Sequence, residues 1–156
     1  MSLIDRPICD EARLYGGYRL RLDKTSVKRR GIDFRQLCSD VLKDFRFRHV
    51  VDAKIHGKKE IPTGIPYRAD LVVQLPKQFL HIWTVWQDDA GSNDKWLAFA
   101  LKIEHLQVPV LIVHGGDGAS PKALQWFNDH ARHSQHAHGV VSFQEFVDRC
   151  LDFALI

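Results

Sequence analysis

The sequence predicts an α/β domain in which a mixed β-sheet is flanked by helices, and three observations carry that prediction. Three strand-like runs lie close together between residues 47 and 87. Beyond them, helix-period segments alternate with short apolar runs, the pattern of a βαβ crossover. At 156 residues the chain is long enough to bury a core and fits one domain, expected to span residues 1–156.

The elements follow in order. Residues 13–23 (RLYGGYRLRLD) carry a Gly-Gly break and then apolar/basic alternation, which reads as a short strand. Ile32, Phe34, Leu37, Val41, Leu42 and Phe45 recur at helical spacing, so an amphipathic helix is expected over about 32–45, opening after Gly31. Phe47 to Ile55 is β-branched and extended. HGKKEIPTGIP supplies turn chemistry through Gly57, Pro62, Gly64 and Pro66. YRADLVVQL and FLHIWTVWQ read as two strands joined by a hairpin-like turn at Pro76-Lys77-Gln78. Gly91, Ser92 and Asn93 then open a helix carrying Trp96, Leu97, Ala100, Leu101 and Ile103. VPVLIV is wholly apolar, as in a strand buried on both faces. Ser120 as N-cap and Pro121 at the first helical position start the next helix. HGVVSF is a short strand, and Ser142 to Phe153 a closing helix.

Composition is that of an ordinary globular protein, 45% hydrophobic and 26% charged. No apolar run approaches the roughly 18 residues that span a bilayer. The N-terminus has early acids and no apolar core of a signal peptide, so a cytoplasmic protein is expected. Cys9, Cys38 and Cys150 form no CxxC pair and are expected as reduced thiols. The net charge of +3 is mild, but the first half is basic, from Arg19 and Arg21 through Lys28, Arg29 and Arg30 to Lys58, Lys59 and Arg68. Such a half suits a phosphate-facing surface; a solvated face is the alternative.

The order α-β-β-β-α-β is similar to the core of the PD-(D/E)XK, restriction-endonuclease-like superfamily. TGIPYRADLVVQ resembles the family's second strand, with Asp70 at the place of its aspartate. WTVWQDDAGSNDKWLAFAL resembles an E-x-K-x-Q strand leading into a Gly-Ser turn and a helix, matched by Gln87, Gly91, Ser92, Asp94 and Lys95. PVLIVHGGDGASPKALQWF resembles the next strand, its glycine-rich exit and a helix bearing Trp126. The likeness spans about residues 31–148. It implies a Mg²⁺-dependent endonuclease, in which an aspartate and a glutamate hold hard cations through oxygen and a lysine two residues on handles the attacking water. With Gln87 as the motif glutamine, the glutamate position holds Trp83 and the lysine position Val85. An indole binds no Mg²⁺ and valine holds no proton.

The resemblance therefore implies a frame with Asp70, Gln87 and Lys95 as candidate catalytic residues and Asp70 with Asp88 as candidate Mg²⁺ ligands. Glu60 and Asp89 are further acids that could have migrated into the site. Lys28, Arg29 and Arg30, expected just ahead of the first helix, are the candidate DNA contacts. Three readings follow. One is a DNA-binding relative with a degenerate or rearranged site, alone, as a homodimer or with an active partner subunit. The second is an active Mg²⁺-dependent endonuclease with migrated groups. The third is a protein-interaction module with no nucleic-acid role.

Other constellations carry less. His130, His133, His136 and His138 are dense enough for metal ligation, but only Asp129 stands near to complete a set. HGGDGAS has the glycines of a phosphate-cradling loop without the spacing of one, so a plain strand-to-helix turn is expected.

Overall fold

The computed structural model describes residues 12–15, 18–21, 27–88 and 93–156, with side chains from Arg30 onward. The Gly91-Ser92 turn, Asp89, Cys9 and the side chains of Lys28 and Arg29 lie outside the described residues. Strands β1 (Ala12–Tyr15) and β2 (Tyr18–Arg21) pair antiparallel, so where one strand was expected there are two, in a sheet separate from the main one.

Helix α1 (Val27–Asp44) leads into three antiparallel strands, β3 (His49–Lys59), β4 (Pro66–Gln74) and β5 (Phe79–Trp86). Helix α2 (Asp94–Leu106) crosses to β6 (Val110–Gly115), and α3 (Pro121–Ala131) to β7 (Ala137–Ser142), both strands joining in parallel. Helix α4 (Phe143–Leu151) closes the chain. The main sheet runs β3-β4-β5-β6-β7, as the mixed αβββαβ core predicts. No helix among the described residues is long and apolar enough to cross a membrane.

Strand periodicity divides the interior in two. Leu111 and Val113 of β6 face α1 and α4, packing with Phe34, Leu37, Val41, Phe143 and Phe146. Val110 and Ile112 face the other way, onto Trp96, Ala100 and Ile103 of α2 and Phe127 of α3. Every residue of β6 from Val110 to Val113 is buried, which is why it reads as an unbroken apolar run. Cys38 and Cys150 lie unbridged in the first core, and burial pushes the Cys150 thiol up to about 12.

Two boundaries differ from expectation. Helix α1 begins five residues early, because its first turn carries no apolar stripe and Gly31 sits inside the helix. Lys28, Arg29 and Arg30 therefore belong to the first turn itself. Strand β3 continues through Gly57, whose φ of +77° opens a bulge: Lys54 faces Arg68, and Lys59 faces Pro66. The expected cap at Ser120 holds, its side chain accepting from the Ala123 N–H, whereas Asn93 at the start of α2 makes no side-chain cap bond. Ser142 adds a cap that the pattern did not single out, accepting from the Glu145 N–H at 3.1 Å.

Candidate functional site

The last residue pair between β4 and β5 is Leu71 with Ile82. One step further on, where the strands part, Asp70 and Trp83 come opposite each other. With no ladder partner from β4, the Thr84 N–H donates to Asp70 Oδ2 at 2.9 Å. The carboxylate thus bridges the opening of a fork between the strands. Burial pushes the Asp70 carboxyl above its usual range, against the Thr84 bonds and the charges of Arg35 on α1 and Lys102 on α2.

The α2 side of the fork is aromatic and linked by hydrogen bonds. Trp83 Nε1 can only donate, and its partner is Tyr67 Oη at 2.8 Å. The Tyr67 hydroxyl and His81 Nδ1 share a further hydrogen bond at 3.1 Å, and the two rings stack at an interplanar angle of 7°. Burial lowers the His81 pKa to about 4, with the nearby Lys58 charge adding to the effect, so the ring is neutral around pH 7. Burial also raises the Tyr67 phenol, which stays protonated and able to donate.

Lys102 brings a cation to this wall. Its ammonium lies 2.5 Å from Glu60 and 5.1 Å from the centre of the Trp83 ring. Lys102 and Lys95 are seven residues apart, nearly two helical turns, and so share one stripe of α2. The sequence pattern could show that stripe but not which turn faces the fork. Tyr67, His81 and Thr84 were equally hidden, since their roles depend on cross-strand neighbours.

The other candidates are placed elsewhere. Asp88 pairs with Arg30 at 2.9 Å, tying the end of β5 to the first turn of α1. Gln87 is buried just past β5. Its N–H donates to the Gly115 carbonyl, its carbonyl accepts from Gly118 N–H at 2.8 Å, and its Nε2 donates to the Gly118 carbonyl at 3.2 Å. It pins the glycine-rich exit of β6, where a Cβ on Gly116 would stand 2.2 Å from the Gln87 carbonyl oxygen. In the histidine tract, His130 stacks on Trp126 and lies 3.3 Å from Glu104, which also accepts from Ser134 Oγ.

Mg²⁺ demands a near-octahedral set of oxygens. At the fork Asp70 already accepts from Thr84, Glu60 holds an ammonium, and the residue facing Asp70 is an indole bonded to Tyr67. Among the described residues, no group of three or more His, Cys, Asp or Glu is placed to hold a metal ion. Of the motif's two carboxylates, the described side chains at the fork offer Mg²⁺ Asp70 alone, so this arrangement does not reproduce the motif's ligand set.

The chain belongs to the PD-(D/E)XK nuclease superfamily: the model of a PD-(D/E)XK nuclease superfamily domain matches residues 25–152. Nucleases of this superfamily are typically Mg²⁺-dependent. No curated protein sequence matches the chain. Among solved structures, the restriction endonuclease PspGI in complex with substrate DNA is similar with a TM-score of 0.57 and 11% identity, over 81% of this chain and 62% of that one. Protein VC1899 from Vibrio cholerae is similar with a TM-score of 0.56 and 9% identity, over 92% of this chain and 38% of that one. The chain spans less than two thirds of either relative, and at such identities the likeness is one of fold.

Proposed function

We propose that this chain is a DNA-binding member of the superfamily whose cleavage site is rearranged, with Trp83 and Val85 at the positions of the motif's glutamate and lysine. One observation carries the reading. The Lys102 ammonium, held by Glu60 over the Trp83 ring, supplies positive charge beside Asp70 where relatives would carry a metal ion. Asp70 takes, on this reading, the place of the motif aspartate, and the basic first half offers charge for phosphates. On this reading the protein works in the cytoplasm as a DNA-binding subunit, as a homodimer or beside an active nuclease partner.

Supercoiled plasmid incubated with Mg²⁺ or Mn²⁺ tests it, with Asp70→Ala in parallel and gel shifts at several salt concentrations. The expected result is no nicking by either protein and DNA binding that weakens steeply with salt. Nicking by the wild type that Asp70→Ala abolishes would instead make this an active endonuclease, with Glu60, Asp88 and Lys95 as the next groups to replace. Neither nicking nor binding would leave a protein-interaction module.

A further inference from the structure

None of the eleven residues of β3 is buried, although the strand pairs with β4 and forms one edge of the sheet. Burial of apolar area therefore does not account for its length; Val50, for example, is 60% exposed. Its chemistry is one-sided. Residues 46–68 hold Arg46, Arg48, Lys54, Lys58, Lys59 and Arg68 against two acids, Asp52 and Glu60. Both acids are committed, Asp52 to Arg68 at 3.1 Å and Glu60 to Lys102. Lys54, Lys58 and Lys59 have no ion-pair partner among the described residues. Lys54 and Lys59 are exposed, while Lys58 is half-buried and its charge reaches His81 on the aromatic wall of the fork. The lysines thus run from open solvent to the candidate site. Lysines on an exposed strand edge also discourage strand addition, but that role requires no continuity with the fork.

We propose that the β3–β4 hairpin grips the phosphate backbone of duplex DNA, with Lys54, Lys58 and Lys59 as its contacts; this rests on the DNA-binding reading above. Lys54 to Lys59 covers at most about 17 Å at roughly 3.3 Å per residue. Duplex DNA carries a negative charge about every 1.7 Å of axis, so such a span meets several phosphates. The hairpin would lay the duplex across the mouth of the fork.

The test uses the full chain and a fluorescein-labelled duplex, with affinity measured over a series of salt concentrations. The wild type is compared with Lys54→Gln/Lys58→Gln/Lys59→Gln and with Lys28→Gln/Arg29→Gln, each checked for folding by circular dichroism. The triple variant is expected to bind more weakly. Its slope of log affinity against log salt should be shallower by about 0.9 for each lysine that met a phosphate. If the triple variant does not fold, Lys54→Glu/Lys59→Glu, at two exposed positions, gives the same reading. Wild-type binding that the hairpin variants leave unchanged overturns the proposal while the DNA-binding reading stands. A shallower slope in Lys28→Gln/Arg29→Gln alone would then move the face to α1. Absence of wild-type binding removes both. A wild-type dimer that Lys54→Glu/Lys59→Glu dissociates, with DNA affinity unaltered, overturns the proposal in favour of a second copy on this edge.

Discussion

At the residue scale, Asp70 combines a structural duty with an electrostatic cost. The Thr84 N–H needs an acceptor, yet burial disfavours the charge on the acceptor it has. Asparagine would accept the same bond without a charge. Asp70→Asn is therefore expected to match or exceed the wild type in stability, by up to about 1 kcal/mol, while Asp70→Ala loses about that much as the N–H goes unpaired. The carboxyl is raised in the folded state, so that state holds its proton more tightly. Its contribution to stability falls as pH rises from the ordinary carboxylate range through the raised value, and Asp70→Asn removes this slope. His81 has the opposite sign. Its pKa is lowered from 6.5 to about 4, so stability is lost as pH falls across that window, when the unfolded chain gains a proton that the folded chain refuses. His81→Gln should flatten that limb. Urea midpoints from neutral to acidic pH check both; burial also lowers His114 and His138, which leave a residual limb, so an acid limb as steep in His81→Gln as in the wild type would discard the assignment.

At the element scale, two glycines separate tolerance from necessity. Gly31 lies inside α1, and an added Cβ would meet nothing within 4 Å. Gly31→Ala is expected to stabilise by about 0.5–1 kcal/mol through helix propensity and a less free unfolded chain. Gly116 has φ +83° and its Cβ would collide with the Gln87 carbonyl. Gly116→Ala is expected to cost about 3 kcal/mol or more, or to prevent folding, since strain and overlap act together. Thermal unfolding of the two variants reads both, and equal midpoints would contradict the packing described at the exit of β6. The same elements show where sequence pattern fails. Gly31 and Gly57 look like boundaries, yet one sits in a helix and the other in a bulged strand, because tertiary pairing outweighs local preference.

At the scale of the molecule, both cores share one sheet. Leu111 and Val113 belong to one, Val110 and Ile112 to the other, so neither face can be lost without exposing the strand between them. The main sheet and its helices are therefore expected to unfold as one cooperative unit. Fluorescence, carried by Trp83 and Trp96 on the α2 face, Trp86 on the α1 face and Trp126 on α3, should show the same denaturant midpoint as far-ultraviolet circular dichroism. Two separate midpoints would divide the chain into independent units.

By itself the sequence determined the class of fold, the order of its main elements, the cap at Ser120, and the place of Asp70 on the second strand of the main sheet. These depend on periodicity and on side chains acting within a few residues of their own backbone. Only the tertiary structure decided that Lys102 charges the fork, that Glu60 holds it there, and that Arg30 takes Asp88. It also decided that Gln87 fastens a loop. Those partners are far apart in the chain, and strand register with helix docking brings them within a few ångströms, where charge and hydrogen bonding act.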